Sequence, residues 1–266
     1  MNLPEVLTLS LAQRVAAMLD IDPATIAVGD RLPRGWHFPL MPAVTRKSDI
    51  RADGFPGLGV PMPDLGLPKL VLGGREVQYN SDLFVGDAIE RRSAVIDIVK
   101  KGEGGKARAV VMVRHELFRD EPDPAIVETQ QYLLLPEGRR YSEPERSQTA
   151  IRAEHIGQFS ADSTLLFHYC ALGFNSHKIH LDRDYARDVE GYPDLVVNGG
   201  LAALLVSEFV RNTLGGIIAS LTMKHQAPLF CNAPMTFAAD RAPGGWALRI
   251  HDEAGRLAAT AEAQTI

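Results

Sequence analysis

The side chains best suited to acid–base chemistry are concentrated in residues 167–186, FHYCALGFNSHKIHLDRDYA. A neutral imidazole can accept or donate a proton near pH 7. His177 and His180 have the spacing of two metal ligands, but no distant third ligand accompanies them, so a catalytic site without metal is expected. The polar members of the cluster are Asn175, His177, Lys178, His180, Asp182, Arg183 and Tyr185.

A glycine-rich segment, GYPDLVVNGG at residues 191–200, follows the polar cluster and precedes an apolar run. Gly199 and Gly200 are expected to open a helix, whose free N–H groups can hold an oxygen that becomes anionic. Glycine allows a ligand carbonyl to approach closely, although both glycines could instead serve only helix packing. A base beside such N–H groups is what the addition or removal of water across an enoyl-thioester requires.

The apolar run after Gly200 predicts a buried helix, because GGLAALLVSEFVRNTLGG is apolar on most of its surface. Gly215 and Gly216 are expected to end this helix. Strand-like segments with β-branched residues or period-2 alternation follow it, and four others occupy residues 74–135. Gly102, Gly104 and Gly105 predict a hairpin turn between two of these four.

The first half repeats this order of elements in a weaker form. An amphipathic helix around Glu5–Leu19 is followed by a Pro- and Gly-rich stretch from about residue 30 to 69, and then by the four strands. We therefore predict an α+β fold, a double hot-dog with antiparallel sheets that each wrap a central helix, shortened or distorted in the first half. The polar stretch 136–150 predicts the boundary between domains 1–140 and 150–266.

Several polar side chains of the first half are expected to lie outside any site. Period-2 alternation predicts that Glu128, Gln130 and His115 face solvent, and Arg91 is expected on a solvated strand face beside Arg92. The aromatic residues Trp36, Phe38 and Tyr79 are predicted to be core or loop anchors.

Composition excludes several classes of function. The net charge of −5 and the dispersed basic residues argue against nucleic-acid binding and against a polybasic membrane protein. No stretch approaches 18 uninterrupted apolar residues, so no membrane span is expected. Cys170 and Cys231 have no metal-site or CxxC spacing, and two reduced thiols in a cytoplasmic protein are expected.

Residues 169–180, YCALGFNSHKIH, resemble the hydratase motif of the MaoC-like (R)-specific enoyl-CoA hydratases. That motif reads aromatic, small residues, Gly-Asp-x-Asn-Pro-aliphatic-His, and its Asp and His jointly activate water. The motif His corresponds to His180 and the Asp to Asn175, while His177 and Lys178 replace the motif's Asn and Pro. The form found here is similar to the subgroup with hydroxyacyl-thioester dehydratases and the mesaconyl- and itaconyl-CoA hydratases. WHFPLMP, GGREVQYNSDLFVGDAIERRS and VRHELF extend the resemblance into the first half.

The resemblance implies a hydro-lyase that acts on a short branched or dicarboxylic enoyl-CoA, such as itaconyl-CoA or mesaconyl-CoA. It implies His180 as the acid–base residue, oriented by Asp182 or acting alone, and Asn175 as an amide that orients water. Gly199 and Gly200 would form the oxyanion hole. The expected substrate-binding residues are Lys178, Arg183, Asp182 and Tyr185. No cofactor is expected, the partner is an acyl-CoA, and a homodimer is left open.

Three alternatives remain from the sequence. One is a 3-hydroxyacyl-thioester dehydratase of fatty-acid synthesis, on CoA or carrier protein, which would need a long apolar tunnel. Another is a non-catalytic acyl-thioester-binding protein, since the Asp of the motif is replaced by Asn175. The third is a hot-dog thioesterase with Glu208 as its carboxylate, although Glu208 lies well past the first turn of the predicted helix.

Overall fold

A computed structural model describes residues 1–40, 42–104, 107–136, 141 and 150–266. The predicted domain boundary at 136–150 lies almost entirely outside these residues, so the two-domain division remains a prediction. Gly105 of the predicted hairpin turn also lies outside them. Gly102 and Gly104 have positive φ angles of 71° and 53°, between the two strands that the turn was predicted to join.

The described residues form ten strands in one antiparallel sheet. In chain order they are β1 (Asn2–Val6), β2 (Lys69–Tyr79), β3 (Ala88–Lys101), β4 (Arg108–Phe118), β5 (Ile126–Leu135), β6 (His155–Ser160), β7 (Ile218–His225), β8 (Pro234–Ala242), β9 (Gly245–His251) and β10 (Leu257–Thr265).

The strand order has the same pattern in both halves. Read from its outer edge, the first half runs β1-β3-β4-β5-β2 and the second runs β6-β8-β9-β10-β7. The two central strands, β2 and β7, pair antiparallel from Gly74↔Lys224 to Gln78↔Ser220. Two antiparallel units joined edge to edge confirm the predicted double hot-dog.

Three α-helices lie in the described residues: α1 (Leu9–Met18), α2 (Ser163–Leu172) and α3 (Gly199–Phe209). The first begins later than the predicted Glu5, because residues 2–6 pair with β3 and Thr8 accepts the N–H of Leu11 as the N-cap. Helix α3 starts at Gly199 and is buried from Gly200 to Phe209, as its apolar sequence predicts. A π-helical turn, Val210–Leu214, extends it to the predicted glycines.

In its described residues the first half differs from the prediction, because it has no counterpart of α3. By element order α1 corresponds to α2, and the segment before β2 contains only three 3-10 turns, Pro23–Thr25, Phe38–Leu40 and Lys47–Asp49, among its described residues. Proline removes a helical hydrogen-bond donor and glycine weakens helices, which explains the absence. This segment packs onto α3 instead: Trp36 is buried, and its Nε1 donates to Glu208 Oε1 at 2.9 Å.

The main apolar cluster of the described residues runs through both halves, and two smaller clusters lie apart from it. Phe38 and Tyr79 join Trp36 in it, which confirms their prediction as anchors. No helix among the described residues is both long enough and apolar enough to cross a lipid bilayer.

We predict that Gly74→Ala destabilises the protein by weakening the β2–β7 junction. A Cβ on Gly74 would lie 2.6 Å from the carbonyl oxygen of Met223, which is backbone and cannot rotate away. Overpacking of this kind costs about 1–3 kcal/mol. Urea denaturation measures the change in the free energy of unfolding. The matched control is Gly73→Ala, whose Cβ would lie 3.4 Å from its nearest atom, Gln131 O; equal losses in both variants would contradict the prediction.

Candidate active site

A cavity of about 410 Å³ lies where the two halves meet. Its volume is within the range of small-molecule sites. The second half contributes the segment around His180, the start of α3 and the end of β7. The first half contributes β2, β4, β5 and the segment before β2. The polar side chains on its wall are Arg75, His115, Gln130, Tyr132, Tyr169, Asn175, His177, His180, Tyr192, Asn198, His225 and Gln226.

His180 ends a 3-10 turn, Lys178–His180, and its ring is buried at the cavity wall. Its Nδ1 lies 2.7 Å from the carbonyl oxygen of Val196, which can only accept a hydrogen bond. The proton of the neutral ring is therefore assigned to Nδ1, and the lone pair to Nε2. Burial, and then the neighbouring His177, lower the pKa of His180 to about 3, so the ring is in its basic form at pH 7.

Asn175 lies on the same cavity wall. Its Oδ1 accepts the N–H of His177 at 3.0 Å, which closes a turn after Phe174, a residue with a φ of 46°. Such turns are typical of asparagine. The side chain thus has a structural role and also borders the space beside His180, where its amide NH₂ can bind water.

Helix α3 begins at the cavity with Gly199 and Gly200 on the wall. The first helical N–H groups have no acceptor within a helix, and the hydrogen bond from Ala202 to Asn198 O is the first that the described helix makes. A Cβ on Gly200 would lie 2.1 Å from Tyr169 Oη. Glycine is therefore also required for packing here, so the two sequence interpretations of this pair are compatible.

The other predicted substrate-binding residues lie away from this cavity. Lys178 Nζ donates to Ala52 O at 2.7 Å, and Arg183 Nε pairs with Asp194 at 2.7 Å. Asp182 is exposed and accepts the N–H of Tyr185 at 2.9 Å. None of these four side chains borders the cavity.

The structure changes two details of the predicted set of site residues. Val196 O, and not Asp182, is the group that orients His180. Tyr185 borders a second, adjoining cavity of about 1230 Å³, which shares His177, Ile179 and Tyr192 with the first.

Glu128 and His115 were predicted to face solvent, and the structure shows that this is wrong. Their exposed fractions are 1% and 4%. Gln130 is half-buried and borders the cavity. Alternation along a strand identifies two faces but not which one is covered, and here α3 and the segment before β2 cover the polar face.

Arg91 is likewise buried, against the prediction, and pairs with Glu5 at 3.0 Å. Arg92 is half-exposed, as predicted, and pairs with Glu90.

Glu128 is the centre of a buried ionic cluster behind the cavity wall. Arg75 Nη1 lies 3.1 Å from its Oε1, His37 Nε2 lies 3.3 Å from its Oε2, and Gln130 Nε2 donates to Oε1 at 2.7 Å. Burial by itself would raise the pKa of Glu128, but Arg75 and His37 outweigh it and lower the pKa to about 2. Burial lowers the pKa of His37, so Arg75 is the cation that balances this carboxylate.

Glu208, the carboxylate of the thioesterase alternative, is buried within α3 and does not border the cavity. It accepts hydrogen bonds from Trp36, Arg211 and Asn212. A carboxylate with its acceptor sites occupied in this way has no place for a substrate or water.

Comparison with known proteins identifies the family. The hydroxyacyl-thioester dehydratase type 2 family matches residues 35–231, which include both walls of the cavity. The chain belongs to this family. The mesaconyl-C(4)-CoA hydratase of Chloroflexus aurantiacus is 30% identical over 263 residues, which cover 95% of this chain and 91% of the relative. The mitochondrial hydroxyacyl-thioester dehydratase type 2 of Schizosaccharomyces pombe is 22% identical over 239 residues, 81% of this chain and 80% of the relative.

Solved structures agree on the fold. A MaoC-like dehydratase from Phytophthora capsici superposes with a TM-score of 0.71 at 16% identity, over 100% of this chain and 95% of the other. HtdX of Mycobacterium tuberculosis gives 0.67 at 15% identity, with both chains fully covered. The family match and the relative at 30% identity confirm the predicted family resemblance and the assignment as a hydro-lyase of the hydratase and dehydratase type.

The low pKa of His180 predicts a pH dependence of stability. The folded protein holds this pKa near 3, against 6.5 for an ordinary histidine. Between these values the unfolded chain binds a proton that the folded chain does not, so the free energy of unfolding decreases as the pH falls from 6.5. The slope from one such group approaches about 1.4 kcal/mol per pH unit.

His180→Gln should remove that contribution, so its stability should fall less than that of the wild type between pH 7 and pH 5 in urea denaturation. His168→Gln, at an exposed position on α2, is the control and should keep the wild-type slope. Identical slopes for His180→Gln and the wild type would show that His180 titrates normally.

Proposed function

We propose that this member of the family is an enoyl-CoA hydratase and dehydratase in which His180 is the general base and the start of α3 is the oxyanion hole. The observation that carries the proposal is the bond from His180 Nδ1 to Val196 O at 2.7 Å. It fixes the neutral tautomer with Nε2 unprotonated, on the cavity that Gly199 and Gly200 also border.

In the hydration direction, His180 Nε2 takes a proton from a water molecule held by the Asn175 amide. The water oxygen bonds to the β-carbon, and the electron pair of the double bond moves through the α-carbon to the thioester oxygen. The N–H groups of Gly199 and Gly200 stabilise this enolate. The imidazolium then returns the proton to the α-carbon, and dehydration is the same path in reverse.

The low pKa of His180 is compatible with this role. In the free enzyme, burial favours the neutral ring. An enolate that forms beside the ring stabilises its charged form, so the basicity of His180 increases as the reaction proceeds. Because Asn175 cannot titrate, His180 performs the proton transfer alone.

The proposed substrate is a short branched or dicarboxylic enoyl-CoA of the itaconyl- or mesaconyl-CoA type, and the proposed location is the cytoplasm. A cavity of about 410 Å³ suits a short acyl group. The bacterial relative at 30% identity is named a mesaconyl-C(4)-CoA hydratase. The adjoining cavity of about 1230 Å³ offers room for the CoA portion.

A 3-hydroxyacyl-thioester dehydratase is the second candidate, because the matching family and the Schizosaccharomyces pombe relative are named hydroxyacyl-thioester dehydratases. The chemistry at His180 would be the same in the opposite direction. The difference is the acyl chain, since a long chain needs an extended apolar tunnel.

We expect His180→Ala to lower kcat by about 10²–10⁴-fold while leaving substrate binding intact, because only proton transfer is removed. Enoyl-CoA hydration, followed by loss of absorbance of the conjugated thioester, measures the rate, and calorimetry measures binding. Asn175→Ala should lower kcat less, since the amide orients water without exchanging a proton. A His180→Ala rate equal to the wild type would refute the assignment and favour the non-catalytic alternative.

Substrate class is tested with purified protein and itaconyl-CoA, mesaconyl-CoA and crotonyl-CoA. We expect the highest kcat/KM with one of the two dicarboxylic thioesters. Turnover of crotonyl-CoA alone would exclude the dicarboxylic proposal. Release of free CoA, measured with a thiol reagent, would indicate a thioesterase instead.

A further inference from the structure

Arg75, on β2, is the cation on the cavity wall contributed by the first half, and the sequence motifs do not reveal it. Its side chain is only 5% exposed, and its guanidinium stacks over the Phe38 ring at 4.3 Å from the centroid. Arginine has five N–H donors. Its Nε makes no hydrogen bond to any described residue, and its Nη1 forms an ion pair with Glu128.

The positive charge of this cluster lies at the cavity wall, and its negative charge does not. Arg75 borders the cavity, whereas Glu128 is not part of its described wall. Burial lowers the pKa of the nearby His115 and lowers that of His225 to about 4, so both rings are neutral at pH 7. The wall therefore presents a positive group to the cavity, with the balancing carboxylate behind it.

Other hydrogen-bonding groups converge on the same place at the start of α3. Arg75 Nη2 lies 3.3 Å from the position that a Cβ on Gly200 would occupy, and Tyr169 Oη is closer still. His225 Nε2 lies 3.1 Å from the corresponding position on Gly199, and it is a buried nitrogen without a hydrogen-bond partner among the described residues. Unpaired buried groups of this kind are rare unless a ligand completes them.

These polar groups exceed what a thioester carbonyl needs. One carbonyl oxygen is served by the two amides at the helix start, which leaves Arg75 and His225 unassigned. A carboxylate has two oxygens and a full negative charge, and it matches the planar guanidinium better than any neutral group.

We propose that Arg75 is the specificity-determining residue of this site and binds a carboxylate on the acyl chain of the substrate. This rests on the proposed enoyl-CoA hydratase function and defines its substrate class as enoyl-CoA thioesters with an ionised acyl carboxylate. From the sequence, Lys178 and Arg183 were the cations expected to bind the substrate. Arg75 replaces them in this role, because both are engaged outside the cavity. A neutral acyl chain would leave the buried donors unpaired, and that is how a polar site rejects an apolar analogue.

The test compares two thioesters that differ in one group. Mesaconyl-C4-CoA carries a carboxylate where 3-methylcrotonyl-CoA carries a methyl group. The variant is Arg75→Gln combined with Glu128→Gln, which removes the ion pair without leaving a buried charge unpaired. The matched control is Arg114→Gln with Glu116→Gln, an ion pair of 3.0 Å on partly exposed side chains of β4.

We expect kcat/KM of the Arg75 double variant to fall about 10²-fold for mesaconyl-C4-CoA, the loss of a charged hydrogen bond, while its value for 3-methylcrotonyl-CoA is retained. The control should match the wild type with both substrates. An equal loss of kcat/KM with both substrates in the Arg75 variant would overturn the proposal, since Arg75 would then either contact the thioester or stabilise the fold. Thermal unfolding of each variant separates these two cases.

Binding of saturated analogues tests Arg75 without turnover. Methylsuccinyl-CoA with its thioester at C4 and isovaleryl-CoA differ in the same carboxylate, and calorimetry gives the Kd of each. A preference for methylsuccinyl-CoA that disappears in the Arg75 variant supports the carboxylate site even if no enoyl-CoA is hydrated, in which case only the proposed function fails. Equal affinities for both analogues in the wild type would overturn the role of Arg75.

Discussion

The pairing of β2 with β7 is the constraint on which the rest of the structure depends. It joins two similar five-stranded units, and it places Arg75 of β2 opposite Met223 of β7 in register. Arg75 therefore lies beside the start of α3, a helix that belongs to the other half of the chain. Neither half alone contains both the free N–H groups of the helix start and the cation beside them.

The described residues of the first half contain no second central helix, and this leaves room for the cavity. In the second half, α3 is buried along nearly its full length and has no space for a ligand beside most of its surface. The first half replaces the equivalent helix with a Pro- and Gly-rich segment. That segment packs Trp36 against Glu208 and Phe38 against Arg75. The double unit consequently has a wall of irregular chain beside the helix start, where a cavity can form.

The sequence predicted the elements better than the contacts between them. The periodicity of residues 199–216 predicted the buried helix and its end. The motif singled out His180, which borders the cavity, and its catalytic role stays a prediction. The sequence could not predict that Val196 O is the hydrogen-bond partner of His180, because every residue type has a backbone carbonyl. It could not predict Arg75 or Glu128 either. The alternation of residue types along a strand is the same whether its polar face is exposed to solvent or covered by residues distant in sequence. The segment that covers this face here has no regular sequence pattern.

The replacement of the motif Asp by Asn175 changes the electrostatics of the whole cavity. A carboxylate there would add a negative charge close to His180 and raise its pKa, since an opposite charge favours the protonated ring. It would also oppose an anionic acyl group in the same cavity. With a neutral amide at position 175 and with Glu128 placed behind Arg75, the described part of the cavity wall carries the Arg75 guanidinium and no carboxylate. In the proposed reaction, the neutral amide of Asn175 and the buried guanidinium of Arg75 act together, because they allow an anionic acyl group and a neutral histidine to share a small cavity.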